Sequence, residues 1–414
     1  MLACAATMTH PDPAVPALEL HLVQAGDGPA RLAAARWATR AQFGALGLLA
    51  GMWGAHVPSI KQTYGLNEGS LSLVLFSAAL GAVLSLFLAG RMIGRLGPRV
   101  AALRTGLLLA ASLALALHWP GVAGLMAGSL VFGASMSIFD VAINAEGTAL
   151  EKVGGRPVMG NLHGCFSLGA MGGAVLAAGL LKAATPAAWQ LGLMGGLVAG
   201  LVALASRAML DARPGAEAVG ADGEPRHFAW PRGLLLVIGL LIFAGMTAEG
   251  VMYDWCVLYL AQELAMPQHQ AALGYAAFVG AMAAARFGGD FLRARLPEHQ
   301  LLMGSAGLAA LAMAVVLLAG HPVVALIGYG LVGLGLAPVV PILYTAASKM
   351  PGTSSAAAIA AASSIGYSGF LIGPPLIGGI AQAVSLTAAM GVVVLATLAL
   401  TLGARCITTA SASN

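Results

Sequence analysis

The amino-acid sequence predicts an all-α integral membrane protein with twelve transmembrane helices in two pseudo-symmetric six-helix bundles. Three observations support this fold class: an apolar composition, twelve apolar stretches of spanning length, and a repeated pattern of glycine, proline and basic residues. Of the 414 residues, 59% are hydrophobic and only 9% are charged. Soluble domains carry about 25% charged residues, so the composition excludes an ordinary globular enzyme. The 56 glycines suit closely packed membrane helices.

Each apolar stretch is long enough to cross a bilayer, whose hydrocarbon core requires roughly 20 residues of helix. The first set of six covers 38–60, 71–90, 101–118, 121–143, 158–181 and 187–208. The second set covers 234–260, 271–289, 300–320, 322–344, 355–382 and 386–406. We therefore predict an N-terminal tail at 1–35, bundles at 36–208 and 234–408, and a polar linker at 209–233.

The two bundles are predicted to be copies of one unit, because residue types recur at a spacing of 199 positions. Gly90 and Pro98 in the first bundle correspond to Gly289 and Pro297 in the second. The same spacing relates Gly51 to Gly250, Phe76 to Tyr275, and Gly81-Ala82 to Gly280-Ala281. In each bundle the sequence predicts a short arginine-containing break after the second helix.

The basic residues predict the orientation in the membrane. With a cytoplasmic N-terminus, the inside segments hold 17 of the 20 Lys and Arg residues. The outside loops then hold only Lys61 and Lys182, and Arg286 lies within a span. The positive-inside rule therefore predicts that both termini are cytoplasmic. The four cysteines are far apart and show no metal-ligand spacing, so we expect free thiols, no metal and no cofactor.

The first break resembles the signature of the major facilitator superfamily, whose members share the twelve spans and the central linker. That signature reads roughly Gly, three residues, Asp, Arg, one residue, Gly and two basic residues. The positions that fit it are Gly90, Arg95, Gly97 and Arg99. The resemblance implies that these residues form a gating loop between the second and third helices.

The break departs from the signature at two positions: Gly94 stands where the family has aspartate, and Pro98 replaces a basic residue. In the family this aspartate helps to latch the two bundles together on the cytoplasmic side. Asp290 of the second break lies three positions earlier in register, so it is not a simple substitute. We expect the cytoplasmic closure to involve the level of Asp140, His163 and Arg286 instead.

Several segments resemble the YbjJ-like branch of bacterial inner-membrane proteins, and more distantly the fucose–proton symporters. They are Asp140–Asn144, Leu162–Gly169, Asp254-Trp255, and Gly366-Tyr367 continuing to Gly373-Pro374-Pro375. The resemblance implies a transporter of the bacterial inner membrane and identifies no substrate.

Charged and imidazole side chains inside the spans are the candidate functional residues, because burying one in a bilayer is costly unless it is paired or hydrated. At about 1.5 Å per residue, Glu249 lies near the middle of the seventh span and Asp254 lies further out. His56 lies beside the repeat register of Asp254. We therefore predict a His56–Asp254 contact between the bundles on the outer side; the alternative is that His56 is simply solvated.

A second candidate cluster is predicted in the cytoplasmic half. Asp140 and Asn144 stand four residues apart on the fourth span and so share one helix face. His163 enters the fifth span at this level, and Arg286 approaches it on the eighth. Histidine titrates near neutral pH, so the cluster is a candidate for carrying a proton. The sequence leaves open that Asp140 pairs permanently with Arg286 or caps a helix end, and that His163 is structural.

Aromatic side chains on the predicted cavity helices are candidates for cradling a solute. Trp53 and Tyr253, one position apart in repeat register, are the strongest, and Tyr367 is a further candidate. Weaker candidates are Trp255 and Tyr344. Prolines are expected to kink the tenth and eleventh spans, at Pro338, Pro341, Pro374 and Pro375. Two acidic residues are expected in a solvated cytoplasmic loop, namely Glu146 and Glu151.

Together these features predict a secondary active transporter that works by alternating access and couples solute movement to protons. We expect no nucleic-acid partner. We expect a monomer whose partners are a small solute, protons and membrane lipid. A proton-driven exporter and a transport-like receptor without net flux remain alternatives. The fifth span lacks the Gly-Pro motif typical of the family's drug exporters, which favours a polar solute. No catalytic residue set supports a membrane enzyme.

Overall fold

The computed structural model describes residues 28–210, 232–293, 295–350 and 355–411, and these form twelve helices joined by short turns. The first six are α1 (Gly28–Thr63), α2 (Glu68–Leu96), α3 (Pro98–Ala114), α4 (Gly121–Gly154), α5 (Met159–Lys182) and α6 (Ala187–Ser206). The others are α7 (Leu234–Gln262), α8 (Gln268–Arg293), α9 (Glu298–Ala319), α10 (Pro322–Ser348), α11 (Ser355–Ala383) and α12 (Leu386–Ser411). The predicted all-α fold is confirmed.

Eleven of these helices are long and apolar enough to cross a membrane. The remaining helix, α3, has 17 residues, which is the lower end of what a bilayer core requires. Helix α1 already begins at Gly28, within the segment predicted to be a tail. Most of the predicted tail and linker, at 1–27 and 211–231, lies outside the described residues.

Each bundle repeats the same helix pairing. In the first, α1 packs on α5, α2 on α4, and α3 on both α4 and α6. In the second, α7 packs on α11, α8 on α10, and α9 on both α10 and α12. The spacing of the repeat also holds in the helices, since α6 begins at Ala187 and α12 begins at Leu386. The repeated residue pattern therefore corresponds to a repeated packing arrangement.

The helix ends define two faces of the molecule. We call the end that carries Arg40, Arg95 and Arg99 the basic face, and the other end the opposite face. On the basic face the Arg40 side chain donates to Asn161 at the start of α5, over 2.8 Å. On the opposite face the Tyr64 hydroxyl donates to the carbonyls of Ala116 and Trp119, each over 3.1 Å.

Glycines allow α2 and α4 to pack backbone against backbone. A Cβ atom at Gly81 would overlap the carbonyl oxygen of Leu130, and one at Gly133 would overlap the carbonyl of Ala78. These contacts are reciprocal, so neither helix can accept a side chain there without separating from the other. Close approach of this kind is what drives helix association in lipid.

Gly133→Ala is accordingly expected to destabilise the first bundle by about 3 kcal/mol, the upper range for overpacking, because backbone atoms cannot move aside. The measurement is thermal unfolding of the purified protein in detergent. Gly196→Ala is the matched control, since a Cβ at Gly196 would meet no atom within 4 Å. Equal melting temperatures for the two variants would contradict the packing assignment.

The predicted break over Gly90–Arg99 is much shorter in the structure. Helix α2 continues to Leu96, and Gly97 alone separates it from α3, whose first residue is Pro98. The Gly97 amide donates to the carbonyl of Ile93 over 2.8 Å, and its φ of 81° favours glycine. Gly90 and Arg95 therefore lie in a helix, not a loop, because nothing before Gly97 interrupts the helical hydrogen bonds.

The second break likewise follows a helix that continues beyond its predicted span. Helix α8 continues to Arg293, and Pro297 caps the start of α9. The backbone of Asp290 belongs to α8, and its side chain lies outside the described residues. Of the prolines expected to kink helices, Pro338 lies at a turn that divides α10 into Pro322–Leu336 and Val339–Ser348.

Candidate functional site

A network of charged and hydroxyl groups joins the two bundles inside the membrane. Arg286 of α8 donates through Nη1 to the Ser167 hydroxyl of α5 over 2.7 Å. Its Nη2 lies 3.5 Å from Oε1 of Glu249 on α7. The Tyr253 hydroxyl donates to the same carboxylate oxygen over 2.9 Å. Two candidate charges thus form an ion pair, and Ser167, which the sequence did not single out, connects them to the first bundle.

The Arg286–Glu249 pair is only partly buried. The two side chains are 20% and 13% exposed, and a single nitrogen–oxygen contact joins them. A guanidinium group has five N–H donors, and the contacts with Ser167 and Glu249 occupy two of its nitrogens. Arg286 can therefore also bind a carboxylate or hydroxyl oxygen on a solute.

Aromatic packing orients Tyr253 towards Glu249. Its ring lies 5.8 Å from that of Tyr275 and 5.6 Å from that of Phe278, the latter edge to face. Trp53, predicted as its counterpart, stacks on Phe132 of α4 at 4.7 Å and is 8% exposed. Trp53 therefore packs within its own bundle, whereas Tyr253 contacts the charged network directly.

Asp140 and Asn144 form a second polar pair on α4. The Asn144 side-chain amide donates to Asp140 Oδ1 over 3.0 Å and to its backbone carbonyl over 2.8 Å. Tyr367 of α11, which is 37% exposed, interacts electrostatically with Asp140 and with Tyr344 of α10. Side chains from both bundles therefore lie near this pair as well.

The cluster predicted at the basic side divides into these two groups. The alternative in which Asp140 pairs permanently with Arg286 is wrong, because the guanidinium group binds Glu249 and Ser167. His163 does lie near Arg286 and interacts with it electrostatically. Its ring packs edge to face on Phe43 of α1, with centroids 5.3 Å apart.

The predicted His56–Asp254 contact is wrong. His56 is 0% exposed, so it is not solvated either. Its Nδ1 lies 3.1 Å from the Ser59 hydroxyl, and its Nε2 lies 3.0 Å from Oε1 of Gln190 on α6. The side chain therefore points into the first bundle. Register within a repeat gives the height of a residue in the membrane, but it does not give the helix face.

Other residues join the bundles on the opposite face. The Gln268 amide of α8 donates to the Ser59 hydroxyl over 2.7 Å and to the Ala55 carbonyl over 3.0 Å. The Tyr275 hydroxyl donates to the Ala50 carbonyl over 3.3 Å, and its ring covers Gly54. The two bundles are thus in direct contact on this face.

Two acidic residues expected in a solvated loop have structural roles instead. Glu146 lies within α4, is 0% exposed, and accepts a hydrogen bond from the backbone amide of Leu210. Glu151 accepts from the amides of Val158 and Met159 over 2.6 and 2.9 Å, so it caps the start of α5. Both carboxylates satisfy backbone donors that the sequence pattern did not reveal.

Comparison with known proteins gives one consistent family. The family model described as Major Facilitator Superfamily matches residues 41–374. An uncharacterized MFS-type transporter of Yersinia pestis is 36% identical over 373 residues, covering 89% of this chain and 95% of the relative. Membrane protein MosC of Rhizobium meliloti is 32% identical over 349 residues, covering 84% of each.

Two solved structures show the same fold at low identity. The E. coli fucose:proton symporter FucP has a TM-score of 0.62 at 17% identity, over 90% of this chain and 98% of its own. The nucleoside transporter NupG has a TM-score of 0.66 at 14% identity, over 95% and 99%. At these identities the likeness describes the architecture and leaves the solute undefined.

Proposed function

Because the chain belongs to the major facilitator superfamily and is a multi-pass membrane transporter, we propose that it moves a small polar solute by proton-coupled alternating access. The observation that carries this proposal is the contact of Arg286 with Glu249 and Ser167. An ion pair within the membrane is costly to keep for packing alone. Arg286 also donates to Ser167 of the first bundle, so the ion pair is connected across the two bundles that must move relative to each other.

In the proposed cycle, Arg286 binds an oxygen of the solute and Glu249 accepts the coupled proton. A proton on Glu249 removes the negative charge that pairs with Arg286, so the guanidinium group becomes available to the solute. Release of both to the other side restores the ion pair. In this proposal Asp140 and Tyr367, which interact electrostatically across the two bundles, contribute hydrogen-bonding groups to solute selection.

We propose that the basic face is cytoplasmic, that both termini lie on that side of a bacterial inner membrane, and that the protein acts as a monomer. The contacts through Gln268 and Tyr275 close the opposite face, which in this orientation is the periplasmic side. The described state would then admit the solute from the cytoplasm. The assignment to the YbjJ-like branch likewise remains a proposal, supported by the segments quoted above.

Export is the second candidate, since the same network could release a proton inward while solute moves outward. Helix α5 contains no proline between Met159 and Lys182, which favours a polar solute over the drug exporters. Measuring the direction of solute movement under an imposed pH gradient decides between import and export. A receptor without flux would bind the solute and show no movement in either direction.

The test begins with a thermal-shift screen of purified protein against small acids, sugars, amino acids and nucleosides. A ligand present at 100 times its Kd should stabilise the protein by about 2.7 kcal/mol. Uptake of each hit into proteoliposomes is then measured with and without a pH gradient. We expect uptake to follow the gradient and to be lost on adding a protonophore. Gradient-independent movement of every hit would contradict proton coupling.

A further inference from the structure

Asp254 has surroundings quite different from those of Glu249, although both lie on α7. It lines a small cavity between α7 and α11 with a volume of about 10 Å³. The other residues that line it are Gly250, Val251, Trp255, Gly369, Phe370, Gly373 and Pro374. Three of these are glycines, so the backbones of both helices come close to the cavity. Its volume is about that needed for one water molecule.

Three polar groups around this cavity lack partners among the described residues. No hydrogen bond joins the Asp254 carboxylate to another described side chain or backbone group. Trp255 is 0% exposed, and its indole N–H has no hydrogen-bond acceptor. Pro374 has no N–H, so the carbonyl of Phe370 cannot receive its helical hydrogen bond. One acidic group, one donor and one acceptor therefore meet at a single small cavity.

We propose that this cavity is a binding site for one water molecule, which carries protons to and from Asp254. Water has two donors and two acceptor positions. It can accept from the Trp255 indole while it donates to the Asp254 carboxylate and to the Phe370 carbonyl. A metal cation would leave the indole N–H without an acceptor, so the set of groups favours water. A bound water needs two to four such partners, and the site offers three.

The charges near Asp254 agree with this assignment. The described titratable groups that interact with it electrostatically are Tyr275 of α8 and Cys256 of α7. Neither can carry a positive charge. In the described parts of α1, α8, α11 and α12, no cationic side chain pairs with this carboxylate. Arg286 binds Glu249 and Ser167 rather than Asp254.

The site connects the protonation of Asp254 to the shape of α11. Pro374 and Pro375 remove two hydrogen bonds from α11 next to the cavity, where the helix is easiest to bend. A water bridge from Asp254 to the freed carbonyl would stiffen this point, and a change in the charge of Asp254 would alter the bridge. The role of this water site in proton-coupled transport rests on the proposed function, whereas the existence of the site does not.

Infrared difference spectroscopy on the full-length protein in nanodiscs tests the site without any solute. We expect a protonated-carboxyl band in a pH titration that is lost in Asp254→Asn and retained in the matched control Asp140→Asn. Trp255→Phe keeps the ring but removes the N–H, and it should shift this band. A band from a weakly hydrogen-bonded water, sensitive to heavy-oxygen water, should disappear in both Asp254→Asn and Trp255→Phe.

A carboxyl spectrum unchanged in Asp254→Asn would overturn the proposal, as would a water band that neither Trp255→Phe nor Asp254→Asn removes. Because Trp255→Phe is a conservative change, it keeps the test informative even if Asp254→Asn fails to fold. The bands are recorded independently of transport. Intact bands without proton-coupled uptake would contradict only the proposed function, and coupled uptake without the bands would contradict only the water site.

Discussion

Glu249→Gln is expected to reduce pH-gradient-driven uptake by about 100-fold or more while leaving the protein folded. Glutamine keeps the shape of the side chain and can still accept from the Tyr253 hydroxyl, but it removes the charge that pairs with Arg286. Removing one partner of a fully buried ion pair costs about 3–5 kcal/mol, and about 3 kcal/mol, the lower end, suits this partly buried pair; each 1.4 kcal/mol is about tenfold in an equilibrium. The measurement is initial uptake into proteoliposomes under an imposed pH gradient.

The matched control is Glu263→Gln, at the end of α7 on the opposite face, where the carboxylate accepts from Thr387 over 2.8 Å. This variant should transport like the wild type, because Glu263 lies outside the network. Thermal unfolding adds a second readout: Arg286→Gln alone should destabilise the protein more than Glu249→Gln combined with Arg286→Gln. Additive stability losses would show that the two charges do not depend on each other.

Asp254→Asn provides a second neutral variant for the same uptake assay, and it too should lose gradient-driven uptake. Asparagine cannot release or accept a proton in the range where carboxylates do. Wild-type transport by both Glu249→Gln and Asp254→Asn would contradict the assignment of proton coupling to α7. Loss in only one of them would identify which carboxylate carries the proton.

Gly54→Leu is the second large effect, and it should prevent the opposite face from closing. The ring of Tyr275 occupies the space where a side chain at Gly54 would lie. Overpacking costs about 1–3 kcal/mol, which shifts the balance between closed and open states by about tenfold to 100-fold. Uptake should fall by a similar factor because the cycle needs both states.

Closure can be followed with a single cysteine at Ser72, which is 5% exposed and packs against Gly378 of α11. The background has its four native cysteines replaced by serine. A membrane-impermeant thiol reagent should label Ser72→Cys slowly in this background and faster once Gly54→Leu is added. Gly196→Leu, facing open space, is the control. Equal labelling rates with intact uptake would contradict the assignment of this contact to the gate.

The helices could be predicted because the signals for them are local. Length, hydropathy and the 199-residue repeat predicted twelve helices, and the structure has them. The positions of the helix ends were predicted less accurately. The break predicted over Gly90–Arg99 is only Gly97 in the structure, because α2 continues beyond the apolar stretch. Helical hydrogen bonding does not stop where hydrophobicity falls, and arginines extend a helix readily into the aqueous phase.

The candidate site was predicted in part. Glu249 and Arg286 were identified from the cost of charge in a membrane, but their pairing with each other was not. His56 and Asp254 were predicted to touch and instead face different neighbours. Ser167 was missed entirely, because a serine in a membrane helix carries no charge and is common in packing.

The sequence by itself determined that this chain is a twelve-helix membrane protein built from a repeated unit, with few charges available for function. The length of an apolar stretch and the free-energy cost of burying a charge in the bilayer are properties of each segment separately. Both can therefore be assessed from the sequence without knowing the fold. Only the tertiary structure decided which charges meet, since that depends on the rotation of each helix about its axis. A rotation of part of a turn directs His56 towards Gln190. The packing of α7 on α11 places Asp254 and Trp255 beside the proline-interrupted backbone of α11.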